Sequence, residues 1–139
     1  SDCSISNCTV TGNSGDGVLA SSRCTVRQCE SSNNSGDGLD MSINATVIAC
    51  TAHSNGGNGF RVSNNSTITQ CAATGNTLDG FSVSNGSNVS HCTAADNLDD
   101  GFGLNPECSA HACTAQSNDD VGIDHSVGQS ITRVSPAEG

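Results

Sequence analysis

Apolar residues in this chain stand in short alternating pairs, and each pair recurs 21 residues later. One column reads Val18, Leu39, Phe60, Phe81, Phe102 and Ile123; two residues on stand Ala20, Met41, Val62, Val83, Leu104 and His125. A second column is Ile5, Val26, Val47, Ile68, Val89, Ala110 and Ile131. A third is cysteine: Cys8, Cys29, Cys50, Cys71, Cys92 and Cys113, with Val134 in the next place. Alternation such as Phe60-x-Val62 or Cys24-x-Val26 has the two-residue period of a strand. The polar positions keep the same register. Asn13, Asn34, Asn55, Asn76, Asn97 and Asn118 follow the cysteines, and Gly17, Gly38, Gly59, Gly80, Gly101 and Gly122 follow the asparagines. Asn-x-x-(Asp/Asn)-Gly is turn chemistry, with the glycine free to take positive φ. Three short strands and three turns are predicted for each unit.

Twenty-one residues are too few for two helices and a turn, and Gly, Ser, Asn and Thr disfavour helix in any case. No insertion or deletion interrupts the repeat, so the 139 residues hold about 6.6 units. The pattern predicts an all-β chain coiled as a single parallel β-helix. Each strand pairs with its own copy one rung on, about 4.8 Å away, in a stack roughly 30 Å long. Residues 1–139 read as one domain. Cys3 and Ile5 already occupy interior columns, so the chain is expected to continue upstream. The repeat fades over residues 134–139: His125 replaces an apolar residue, Gln129 stands where Cys or Ser stood, and Pro136 lacks a strand donor.

Each column has a physical reason. Phe60, Phe81 and Phe102 are expected to stack inside the coil. An asparagine stacked on its own copy donates to one neighbour and accepts from the other, so the column satisfies its own buried amides. Cysteine suits an inner corner because it is small and apolar. Asn55 turns that corner, and Gly59 releases the chain toward inward-pointing Phe60 and Val62.

The phrase apolar-x-x-(Asn/Cys)-x-apolar-x-x-Asn-x-x-(Asp/Asn)-Gly-apolar-x-apolar, repeated from Cys3 to Ser135, resembles the repeat of right-handed parallel β-helix proteins of the pectate-lyase-like type. The resemblance implies a right-handed coil. Members of that group include polysaccharide lyases, hydrolases and epimerases, phage tailspikes and surface adhesins. Here Cys stands where an inner Asn is commoner.

Charge narrows the partners. The chain has no lysine, four arginines and fourteen acids, for a net charge of −10, which argues against nucleic acid and anionic membrane. No apolar run of about 18 residues offers a membrane-spanning helix. With three Phe and neither Trp nor Tyr, a globular core would be poor, whereas stacked columns need few large residues.

Two sets of residues could carry chemistry. Nine cysteines invite crosslink or metal readings, but stacked side-chain vectors run parallel rather than converging, and C-x2-C spacing is missing. Buried free thiols are expected. The acids Asp16, Asp37, Asp79 and Asp100 precede the turn glycines, with Asn58 interrupting and Asp99 and Asp120 nearby. Asp-Gly is a good turn dipeptide; carboxylates on adjacent rungs are also candidate calcium ligands. No other cofactor is indicated. His53, His91, His111 and His125 fall in four different columns, so no shared histidine site is expected.

Equal rungs offer no long loop to wall a groove, and the arginines are scattered. Catalysis within these residues is therefore not expected, and no catalytic residue is assigned. The sequence reads as an extracellular or cell-surface structural or adhesive rod, stacking end to end, with surface polysaccharide a further candidate partner. Two alternatives stand beside it: the non-catalytic part of a larger polysaccharide-processing β-helix enzyme, and a calcium-stabilised surface repeat module.

Overall fold

A computed structural model describes residues 2–132 and the backbone of 135–137; the expectations for Val134, Arg133 and the last two residues lie outside this range. Twenty strands and no helix are found among the described residues. The first rung supplies Cys3–Ser6, Thr9–Thr11 and Val18–Ala20, and each later rung repeats this set 21 residues on. They assemble into three parallel sheets of seven, seven and six strands, one per face of the coil. Phe60 pairs with Phe81 and Phe81 with Phe102, in the register that the columns require. Strand pairing also outlasts the apolar pattern: Ile123–His125 pairs with Phe102–Leu104, and Ser135–Ala137 with Thr114–Gln116.

The core is the set of inward columns. Phe60, Phe81 and Phe102 are fully buried, with ring centroids 4.7 and 4.9 Å apart and planes within 6° of parallel. That spacing is set by the rungs, so identical side chains fit without repacking. Burying each such ring contributes roughly 2–3 kcal/mol.

The corners differ from the sequence expectation. The repeat glycines do not supply the positive φ. Three other columns do, each placing one left-handed residue at a corner: Gln28 and Ala49 before the cysteines, Ser54 and Asp96 before the asparagines, Asn44 and Asn65 before the strands equivalent to Cys3–Ser6. A left-handed residue with a Cβ costs roughly 1–2 kcal/mol. Rung-to-rung hydrogen bonds offset it, as in Ala49 N–H to Thr69 C=O at 3.0 Å and Ser54 N–H to Thr74 C=O at 3.1 Å. Glycine is required at Gly80 for space: an added Cβ would lie 2.7 Å from Gly101 O and 2.8 Å from both Ala94 Cβ and Asn97 Nδ2.

The cysteines need two corrections. Cys29, Cys50, Cys71, Cys92 and Cys113 are free and buried as expected, but Cys8, on the first rung, is exposed. Cys3 and Cys24 form a disulfide across the first two rungs, Cα to Cα 4.5 Å. Parallel register brings their Cα atoms within bonding range.

Candidate functional site

Two side-chain ladders climb the corner beside the third sheet, and they run in opposite directions. In the asparagine ladder each Oδ1 accepts from the rung before it: Asn55 N–H and Asn55 Nδ2 both donate to Asn76 Oδ1 at 3.1 Å. Nδ2 of Asn76 in turn donates to Asn97 Oδ1 and to Ala52 C=O. Asn34, Asn55, Asn76 and Asn97 are buried, whereas Asn13 and Asn118, on the terminal members of the column, are more open.

In the acidic column each side chain accepts from the rung after it. Asp37 N–H donates to Asp16 Oδ1 at 2.8 Å, and both nitrogens of Asn58 donate to Asp37 Oδ1. Asp79 N–H donates to Asn58 Oδ1, Asp100 N–H to Asp79 Oδ1, and Val121 N–H to Asp100 Oδ1. These acids thus cap the backbone of the next turn, which gives the column a structural role independent of any ligand.

The column also gathers charge. Carboxylate oxygens of Asp79, Asp99 and Asp100 lie within 4.8 Å of one another. Asp16 and Asp37 stand lower on the stack, and Asp120 is exposed outside this triad. Burial, followed by the charges of Asp100 and Asp99, raises the Asp79 pKa to about 6. Asp100 is also raised, chiefly by burial. Three carboxylates at this separation form an oxygen donor set suited to a hard cation. Beside them Leu78, Leu98 and Val121 are exposed, Leu98 by 58%; they break the small-polar pattern of their turn columns, a signal the repeat alignment carries but the apolar columns do not.

The ion pairs among the described residues are cross-rung and lie at the surface: Arg61 to half-buried Asp40 at 3.3 Å, Arg23 to Asp2 at 2.9 Å, and His53 to Glu30 at 3.2 Å. The first two are separated by 21 residues and were readable as column neighbours. His91 and His111, although in different columns, meet edge to face with centroids 5.7 Å apart, because His111 pairs with Ser90 on the neighbouring rung and its carbonyl accepts from His91 N–H at 3.0 Å.

The cysteine column is hydrogen-bonded along its length. Cys29 N–H and Cys50 N–H each reach the sulfur of the next rung at 3.5 Å, and thiols donate back to carbonyls such as Ile48 O and Thr69 O at 3.3 Å. Hydrogen bonds between neighbouring thiols lower Cys50 and Cys92 and raise Cys71 and Cys113. Burial raises each of the four, opposing the lowering at Cys50 and Cys92 and adding to the rise at Cys71 and Cys113.

The architecture is that of a parallel β-solenoid whose rungs are tied by side-chain ladders. Residues 1–135 match the model of the right handed beta helix region, and the chain belongs to that family. Among curated proteins no sequence matches significantly. Similar solved structures include the periplasmic alginate epimerase AlgG, at TM-score 0.79 and 18% identity, covering 95% of this chain and 39% of that one. The A-module of the Azotobacter vinelandii mannuronan C-5 epimerase AlgE4 aligns at TM-score 0.76 and 15% identity, over 84% and 36% of the two chains. Pectate lyase Pel9A aligns at 0.64 and 16%, over 88% and 45%. These likenesses show the fold; the chain spans less than half the length of each.

Proposed function

We propose that the chain is a non-catalytic structural or adhesive rod of an extracellular or cell-surface protein, able to stack end to end. The observation that supports it is the continuity of the rungs. Strands, corners and two polar ladders all hydrogen-bond to the rung beside them, and equal 21-residue rungs leave the described faces without an inserted wall. The surface hollow lined by Glu30, Thr51, His53, Ala72, Thr74 and Gly75 is open, so it gives a reacting group little exclusion from water. Successive rungs are near-identical, so the edge of one rung matches the surface on which the next one sits. A copy of the chain presents the complementary edge, and such head-to-tail contacts propagate as filaments unless they close a ring. Surface polysaccharide is the proposed ligand of the rod's face, and calcium the proposed cation of the Asp79–Asp99–Asp100 triad.

Electron micrographs and sedimentation of the purified chain test the stacking. Filaments are expected at high concentration in salt, where charge repulsion is screened, and Ile5→Lys is expected to abolish them while leaving the fold. A strictly monomeric chain under those conditions removes the fibre and leaves the spacer.

A second reading draws on shape. Likeness to alginate epimerases and a pectate lyase favours a non-catalytic segment of a larger polysaccharide-processing protein, with catalytic rungs elsewhere in its chain. The full-length gene separates the two: long loops with clustered acids and bases favour the enzyme, and further plain rungs favour the rod.

A further inference from the structure

We infer that His91 and His111 form a nitrogen-donor site for a divalent transition-metal ion, with Zn²⁺ as the test case. The sequence separates the two into different columns, and the fold rejoins them. His91 follows strand Asn88–Ser90, and His111 closes strand Ser109–His111, which pairs with it one rung on. His91 N–H donates to His111 C=O at 3.0 Å, so the two backbones are tied at the corner. Their rings meet with centroids 5.7 Å apart and planes at 74°. Two imidazoles on one tetrahedral ion, at metal–nitrogen distances of about 2.0–2.1 Å, hold their centroids roughly 5–6 Å apart. The rings thus stand at the separation that a shared ion requires. Both residues are exposed, so an ion reaches them without opening the coil.

A second observation selects the ligand atom. His111 Nδ1 lies 2.9 Å from Thr132 Oγ1 on the rung after, whereas His91 comes from the rung before. With the Nδ1 proton donated to that hydroxyl, Nε2 keeps its lone pair, and Nδ1 is turned away from His91. Metal-bound histidines are oriented in this way, the second ring nitrogen donating to a neighbouring oxygen. Thr132 is therefore a positioning residue, and the ligand atom of His111 is Nε2. Among the described residues no third His, Cys, Asp or Glu joins the pair, which leaves the other coordination positions to water. Imidazole nitrogen suits Zn²⁺ and Cu²⁺, whereas Ca²⁺ and Mg²⁺ take oxygen. The site differs in place and in chemistry from the Asp79–Asp99–Asp100 triad.

Zinc chloride is the probe, titrated into the folded chain while NMR follows the ring nitrogens of its histidines. His111 Nε2 and one ring nitrogen of His91 are expected to shift together and to saturate at one ion for the pair, with His53 and His125 unmoved. Magnesium chloride at the same concentration is expected to move neither ring. By calorimetry, His91→Gln and His111→Gln are each expected to weaken binding at least about tenfold, and Thr132→Val about tenfold. Asp99→Asn is expected to leave the two ring shifts as they are. The ring shifts are read on the unmutated chain, so the site is tested even where a variant fails to fold. Shifts confined to one of the two rings, equal shifts at His53 and His125, or unchanged affinity in both histidine variants would each overturn the site. A zinc shift at His111 Nδ1, or parent affinity in Thr132→Val, would overturn the ligand atom and the role of Thr132.

Discussion

One oxygen of Asn76 accepts two hydrogen bonds from Asn55, from its backbone N–H and from its side-chain amide, each at 3.1 Å. Both residues are buried, so neither donor has water as an alternative. Replacing Asn76 by Ala strands the backbone N–H of Asn55 and one hydrogen of its side-chain amide, which keeps its bond to Ser31 C=O, and removes the side-chain donor to Asn97 Oδ1 and Ala52 C=O. Unsatisfied buried polar groups cost about 1–3 kcal/mol each, with partial relaxation by neighbours. Urea unfolding of Asn76→Ala is expected to show a loss of about 2–4 kcal/mol. A loss within experimental error would mean that the ladder contributes no stability.

Glycines at two positions should respond in opposite ways. Gly80→Ala drives a methyl group against Gly101 O, Ala94 and Asn97, and overpacking of this kind costs about 1–3 kcal/mol. Gly75 has positive φ but open space around it, and Asn33 and Ser54 hold the equivalent corner conformation in other rungs. Gly75→Asn is therefore expected to stay within about 0.5 kcal/mol of the parent. Similar losses in the two variants by denaturant titration would contradict the spatial account of the repeat glycines.

Asp79 makes stability depend on pH. Its folded pKa is raised from 3.8 to about 6, so the folded state holds a proton that the unfolded state gives up. The contribution is fully present below pH 3.8 and is lost as pH rises through about 6. After discounting for solvent screening, its size is on the order of 1 kcal/mol. Asp79→Asn keeps the acceptor for Asp100 N–H and removes the charge, so it is expected to be more stable than the parent at pH 7 and to flatten this decline. Parallel stability profiles for the two proteins between pH 4 and pH 7 would contradict it.

Calcium at millimolar concentration is expected to raise the melting temperature more than sodium chloride of matched ionic strength, through the triad of Asp79, Asp99 and Asp100. Asp99→Asn should remove the difference, because it deletes one carboxylate while leaving the Asp79 and Asp100 acceptors to the backbone in place. Equal shifts in both salts would reduce the effect to screening.

Strand period, rung length, parallel pairing, the Phe stack and the Asn ladder followed from the sequence, because in a solenoid each residue's main neighbour is its own copy 21 residues away. Any property that depends on a single column is therefore written in that column. Tertiary structure decided what depends on relations between columns. The left-handed corner residues are chemically diverse, Gln28, Ala49, His91 and Ser54 among them, since rung-to-rung backbone bonds rather than residue type hold them there. Glycine at position 80 reports crowding by Ala94 and Asn97, and no local turn rule contains those contacts. Convergence of Asp79, Asp99 and Asp100, the meeting of His91 with His111, and the turn of Cys3 toward Cys24 likewise depend on side-chain direction at a corner. A 21-residue spacing sets how far apart two rungs lie, but only the folded coil sets which way their side chains point.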